Sequence, residues 1–385
     1  MTTIGSVATG VVGQATARAV MRSASYRDLD GVVHPACRWL RAHAPVSRIE
    51  GDGDGDGPAW AIARHADIRA VLDAIDVFPP ARSDTLPEHS LYRNATAFSF
   101  LPAQVRAFEP RLRAIARDAV ERFLADDGER DAVAVLSAHY PRRAILELLG
   151  VPHEDHELVV ALAQDAFAAD AGGGFAAYFD AVRRDRLAHP RDDLSSAIVN
   201  ARLETGESMP RSVQDHLTAS IAVAGHDTTN AAITAGLHGL ATFPEELARV
   251  RADAQLISGL VEESLRWATP ARDIWRDAAA DTEVRGVPIR AGDRVVCLIT
   301  SGNFDGAAFP DPHRFDVTRC PNPHLSFSHG PHECLGQHLA KMEMRALFEE
   351  LLPRLQSVEL AGAPRRTAAH RVGGFTSLPV RVTNA

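Results

Sequence analysis

The stretch LSFSHGPHECLG, residues 325–336, sets one cysteine two residues after His332 and between Gly330 and Gly336. Immediately after it comes LGQHLAKMEMRALFEELL, whose apolar spacing is helical. Backbone N–H groups at a helix start favour the charged form of a thiol, so Cys334 is placed to be a thiolate. The two glycines leave room for the backbone to approach a large flat ligand, and Pro331 stiffens the turn between them. Taken alone, a single cysteine is more often a buried structural thiol. The residues around this one decide against that.

A helix apolar almost all round runs through IAVAGHDTTNAAITAG, residues 221–236, yet it holds Gly225, Asp227, Thr228 and Thr229, all poor interior helix formers. A local cost of that kind usually has a functional reason. The Thr228 hydroxyl can bond back to the Ala224 carbonyl and open the helix there, while Gly225 removes a side chain that would obstruct a flat cofactor. The competing reading is structural: Asp227 and Thr228 cap a break in a long helix, and His226 faces solvent or fills core instead of holding a metal. In LVEESLRW, Glu263 and Arg266 stand at i and i+3 on one helix face, the spacing of a charge-assisted pair.

The elements that must position these groups are mostly helical. Apolar periodicity predicts helices over 35–44, 66–75, 103–125, 140–149, 155–168, 175–187, 211–242, 244–251, 254–267 and 335–352. Strand signals are fewer: 59–63, the run 282–299 with turns at Gly286 and Gly292, and 379–383. The chain is therefore mainly α with small β-sheets. No linker rich in Pro, Gly or Ser separates two cores, so one large domain over 1–385 is expected. Strands are too few and scattered for a Rossmann sheet, and neither GxGxxG nor GxxxxGK[ST] occurs. The acidic patch GDGDGDG at 51–57 imitates the opening of an EF-hand loop, but Ala63 stands where the bidentate glutamate belongs, and the patch reads as a solvated turn.

Composition narrows the partners. With 385 residues, 45% of them hydrophobic, the chain can build a substantial core. Its 41 basic and 50 acidic residues give a net charge of −9, which argues against nucleic acid and anionic membranes. Lys341 is the sole lysine, so arginine supplies nearly all the positive charge. Cys37, Cys297, Cys320 and Cys334 are scattered without CxxC or CxxCH pairing, which disfavours a disulfide framework, a zinc ribbon and covalent haem, and fits a reducing cytoplasm. Charge or glycine interrupts every apolar run before the roughly 20 residues of a membrane span. The acid-free opening, residues 1–22, is expected to be frayed or docked more than a transit peptide.

The run from Phe327 to Ala340 resembles the cysteine-ligand loop of the haem-thiolate monooxygenases, the cytochrome P-450 family, and the resemblance covers nearly the whole chain. It implies the triangular, single-domain P-450 fold and haem b (iron protoporphyrin IX), with Cys334 as axial iron ligand, a thiolate whose electron donation favours O–O cleavage. Phe327 would pack beside the sulfur, Gly336 would give the loop clearance, and His332 would bond a haem propionate. AGHDTT resembles the family's oxygen-activation helix: Ala224 and Gly225 would face the cofactor, and Asp227 with Thr228 would be the acid–alcohol pair relaying protons towards O2. Glu263 and Arg266 resemble the scaffold pair, with Arg314 as its third member. His89, Arg93 and Arg276 stand at stations of propionate partners. Ser328 departs from the pattern, since relatives commonly have glycine there.

What the resemblance implies is a cytoplasmic haem-thiolate monooxygenase. It would insert one oxygen atom into a hydrophobic or bulky organic substrate of terpene, steroid or natural-product type, with electrons from a ferredoxin and its reductase. Oxidative coupling, desaturation or decarboxylation on the same haem is the nearest alternative, and a haem-based gas sensor is the non-enzymatic one. Two substrate-facing regions, 79–88 and 165–190, are short against the family pattern, which predicts an open distal pocket unless residues 4–20 fold over it.

Overall fold

The computed structural model describes residues 3–51, 57–81, 93, 97–168, 173–203 and 205–385. Its helices are α1 (Thr3–Met21), α2 (His34–His43), α3 (His65–Asp73), α4 (Pro102–Phe123), α5 (Tyr140–Leu148), α6 (His156–Ala168), α7 (Gly173–Ala188), α8 (Leu194–Asn200), α9 (Arg211–Thr242), α10 (Pro244–Ala252), α11 (Ile257–Ala268), α12 (Ile299–Asn303) and α13 (Gln337–Leu351). Every segment of helical periodicity is a helix here, because an apolar stripe of period 3.6 buries one face whatever it packs on.

The 32-residue α9 is the central beam. It packs on α5, α10, α11 and α13. It packs tightly on α11 and α13 at Gly236, where a Cβ would lie 2.5 Å from Ser264 Oγ and 2.9 Å from Phe348 Cζ. An alanine there would push the helices apart. Leu237 and Leu240 of α9, Val261 and Leu265 of α11, and Leu347 and Leu351 of α13 share one buried cluster. A second cluster joins α4, α5, α6, α7 and α8 with Leu339 of α13.

The strands are β1 (Val46–Ile49), β2 (Ala59–Ile62), β3 (Gly128–Asp131), β4 (Asp273–Asp277), β5 (Thr282–Val284), β6 (Val287–Ile289), β7 (Arg294–Leu298), β8 (Leu355–Leu360), β9 (Arg365–Arg366), β10 (Phe375–Ser377) and β11 (Pro379–Asn384). The largest sheet has the order β1-β2-β7-β4. Only β2 and β7 pair in parallel, with Trp60 opposite Val295, and that register ties the first part of the chain to the strand pair carrying Arg276.

The opening segment is docked, one of the two states expected for it: α1 packs on α2 and β1. Ala17, Val20 and Met21 are buried there with Leu40, Ala59 and Trp275. Gly13 allows the contact, since a Cβ would sit 3.0 Å from that of Ala44. The aspartates of GDGDGDG lie outside the described residues, and among the described residues no group of His, Cys, Asp and Glu is arranged to hold a metal ion.

Candidate active site

The loop carrying Cys334 is fixed from below by an asparagine that sequence reasoning missed. Asn303, fully buried at the end of α12, accepts from the Leu325 N–H at 2.7 Å and donates to Thr269 Oγ1 and Ser326 Oγ, each at 2.9 Å. Ser326 Oγ in turn donates to the Leu265 carbonyl at 2.7 Å, closing a circuit onto the end of α11. No short motif marks Asn303, because its partners lie far apart in the sequence.

Above this anchor the chain turns tightly. Gly330 has φ of +74°, and a Cβ on it would meet Leu72 O at 3.0 Å and Asp73 Oδ1 at 2.9 Å. The room expected for a flat ligand at this glycine is thus taken by the end of α3. Ser328 has φ of +67°, the left-handed region that favours glycine, and its buried Oγ has no hydrogen-bond partner. A left-handed L-residue costs roughly 1–2 kcal/mol, and an orphaned hydroxyl adds to that. Ser328→Gly is therefore expected to raise unfolding stability by about 1 kcal/mol in denaturant titrations, after allowance for glycine's greater freedom in the unfolded chain.

Cys334 follows a short 3₁₀ turn at Gly330–His332, and its N–H donates to the Phe327 carbonyl at 2.8 Å. The residue keeps an exposed surface although protein surrounds much of the thiol. Burial pushes the thiol pKa up, while the Gly336 N–H and the Arg93 guanidinium pull it down. Burial prevails over these two. A cationic metal bound to the sulfur would favour the thiolate. Arg93 donates to the Glu333 carbonyl beside the cysteine, and His332 is half-buried in the same turn.

On α9 the expected back-bond is present, with Thr228 Oγ1 donating to the Ala224 carbonyl at 2.9 Å. The helix nevertheless runs unbroken from Arg211 to Thr242, so the bond does not open it. Gly225 is small for a different reason from the one expected: a Cβ there would lie 2.7 Å from Ile145 Cδ1 of α5. Ala224 is exposed. Asp227 is also exposed and pairs with His226, Nε2 to Oδ1 2.9 Å, which with Arg142 nearby holds the carboxyl below its usual range. His226 therefore has a polar partner and is not a filler.

The scaffold pair is fully buried, with Arg266 Nε donating to Glu263 Oε2 at 2.8 Å and its Nη2 to Oε1 at 2.7 Å. Its third member is Arg319, not Arg314. Arg319 Nε stands 3.2 Å from both Glu263 oxygens, and Asn322 Nδ2 donates to Oε2 at 3.0 Å. The Arg314 side chain instead reaches the acids of α10, Glu245 and Glu246, while its carbonyl accepts from Arg266 and Arg319. Both arginines lie in one loop, and spacing alone could not choose between them.

Arg276 is buried on β4, where Nη1 donates to the Trp275 carbonyl at 2.9 Å. His89 lies outside the described residues. The arrangement brings together a cysteine that keeps an exposed surface, clearance at Gly336 where a Cβ would meet only Cys334 Sγ at 4.0 Å, and the guanidinium of Arg93, while Arg276 supplies a second buried guanidinium on β4. That donor set fits a flat dianionic group coordinated by sulfur.

The sequence profile described as Cytochrome P450 matches residues 176–381. Cytochrome P450-terp of a Pseudomonas species is 36% identical, with 96% of this chain and 97% of the relative covered. The chain belongs to the cytochrome P450 family. Mycinamicin IV hydroxylase/epoxidase of Micromonospora griseorubida is 34% identical over 83% of this chain and 87% of its own. The crystal structure of CYP108D1 from Novosphingobium aromaticivorans superposes with a TM-score of 0.89 at 34% identity, covering 97% of this P450 and 99% of that chain. The protein is thus a haem-thiolate monooxygenase that uses haem b, O2, an organic substrate and electrons from a redox partner. Among the described residues no helix is long and apolar enough to cross a membrane.

Proposed function

We propose that this P450 oxidises a bulky hydrophobic substrate in the cytoplasm, with Cys334 as the iron ligand, Asp227 and Thr228 as proton relay, and a ferredoxin as electron donor. The observation that carries the relay is the back-bonded Thr228 hydroxyl beside the partly exposed, His226-paired Asp227 on one unbroken helix. Bound haem supplies the activation of O2, one atom of which enters the substrate while the other leaves as water. Thr228 gives its hydrogen to Ala224, so its lone pairs stay open to accept from water or substrate. Asp227, held as carboxylate, can take a proton from the solvent side and hold it at Oδ1. Phe327, Gly336 and Ala224 would line the haem, and His89, Arg93, Arg276 and His332 would hold its propionates. Thr228→Ala is expected to bind haem and substrate but to divert electrons to peroxide. Asp227→Asn should slow product formation by roughly 10²–10⁴-fold, the usual scale for general acid–base groups. Stopped-flow turnover with peroxide quantification checks both, and unchanged rate and coupling would remove the assignment.

The donor's docking is supported by Arg106, His338, Lys341 and Arg345, which line a groove between α4, α11 and α13 together with Glu262. An acidic protein such as a ferredoxin complements that face.

Relatives named for a methyl-branched lipid, mycinamicin IV and a steroid support a bulky substrate. So does length: the alignment with Cytochrome P450-terp runs over 421 positions, more than the 385 residues here, so this chain lacks segments that the relative has. The span 165–190 still forms most of a helix pair, with α6 of 13 and α7 of 16 residues. Residues 82–92, which include most of the other short segment, lie outside the described residues. A pocket with a trimmed rim excludes water poorly, and a small hydrocarbon gains little there at about 25 cal/mol per Å² of apolar area buried. Spin-state titrations with ligands of graded size should show affinity rising with bulk, and tight, well-coupled oxidation of a small monoterpene would reverse the reading.

A further inference from the structure

His226 sits between Gly225 and Asp227 in α9, and the sequence assigns it no chemistry. Its ring is spanned between two acceptors. Nδ1 lies 3.3 Å from the Ala222 carbonyl oxygen and Nε2 lies 2.9 Å from Asp227 Oδ1. A carbonyl oxygen can only accept, so the Ala222 contact is a hydrogen bond in the forms whose Nδ1 carries a hydrogen. Two states then satisfy the other contact: an imidazolium donating from Nε2 to a carboxylate, or a neutral ring accepting at Nε2 from a protonated carboxyl. In both, one mobile proton occupies the line between Nε2 and Oδ1. The side chains are 23% and 57% exposed, so both ends of the pair reach water. Arg142 of α5 is the other charge acting on Asp227.

We propose that His226 is the proton-supplying and positioning residue for Asp227, so that the relay starts from a His226–Asp227 pair. This rests on the assignment of Asp227 as relay. The transfer balances simply: the Nε2–H bond of the imidazolium breaks as Oδ1–H forms, leaving a neutral ring and a neutral acid. When the acid passes its proton inward the carboxylate returns, and solvent reprotonates Nε2. The carbonyl of Ala222 keeps the ring aimed throughout.

The test compares His226→Gln, which preserves a hydrogen-bond donor but carries no mobile proton, with Asp227→Asn in the haem-loaded enzyme. His226→Gln should change the pH profile of turnover and slow it roughly tenfold at neutral pH, less than the 10²–10⁴-fold expected for the acid itself because water replaces the supply in part. Independently of turnover, infrared pH titration of the resting ferric enzyme should show a carboxyl band that is lost in Asp227→Asn and titrates differently in His226→Gln. A His226→Gln enzyme with wild-type rate, pH profile and infrared titration, beside a slow Asp227→Asn, would overturn the role of His226 and leave Asp227 standing. The same holds for a slow variant whose pH profile matches that of wild type. An unaffected Asp227→Asn would remove the relay assignment and this inference together.

Discussion

Reduced protein under carbon monoxide should show the strongly red-shifted Soret band of thiolate-ligated haem, and Cys334→His should lose it along with oxygen insertion. The argument is local. Cys334 is the one cysteine that combines an exposed surface with the N–H of a glycine at a helix start. Cys37 and Cys297 are buried, with thiols pushed up to about 11 and about 12 by desolvation, and neither has a route to a large ligand. Cys320 is exposed but lies in the loop between α12 and α13 with no helix start beside it. Histidine at 334 can still bind iron, so the variant should retain haem while losing the electron donation a thiolate supplies. A histidine-type spectrum in the unmutated protein would displace Cys334 from its role.

Glu263→Gln should be the most destabilising single change in the scaffold. The carboxylate is fully buried and shared by Arg266, fully buried, and Arg319, 7% exposed at the side chain. Removing its charge leaves two cations facing a neutral amide. Breaking a buried pair costs about 3–5 kcal/mol, a large fraction of the roughly 5–15 kcal/mol that holds a domain folded. The loop between α12 and α13 hangs on the same carboxylate through the Asp316 N–H at 3.0 Å and Asn322 at 3.0 Å, so haem retention should fall with stability. Arg319→Ala should reproduce much of this loss. Arg314→Ala should cost less, because its guanidinium is half exposed, its pair with Glu245 is exposed, and the buried Glu246 it also reaches keeps Arg249 and the Val317 N–H. Denaturant unfolding and haem-loss rates measure all three, and equal effects at 314 and 319 would contradict the geometry.

The exchange of Arg314 for Arg319 shows where sequence reasoning ends. ExxR is a contact within one helix turn, so its spacing already dictates the pair. The third arginine comes from the loop between α12 and α13, and the path of that loop brings Arg319 Nε to Glu263 while the Arg314 side chain turns to α10. Gly225 is similar. Its smallness was legible, but the neighbour that demands it is Ile145, eighty residues earlier.

By itself the sequence determined the helices, the long apolar α9 with its Thr228 back-bond, the Glu263–Arg266 pair and the loop that ends in Cys334, because each rests on periodicity or on contacts within about four residues. Tertiary structure decided the rest. It made a docked helix of residues 3–21, a segment rich in glycine and β-branched residues that propensity disfavours, by burying one of its faces on α2 and β1. It made strands of GERD and VSRI, which have little pattern of their own, by pairing them with β11 and β2. It placed Asn303 under the thiol loop and Arg319 beside Glu263. Each depends on where distant backbone groups arrive or how a side chain turns, and desolvation and packing set both only once the chain has closed on itself.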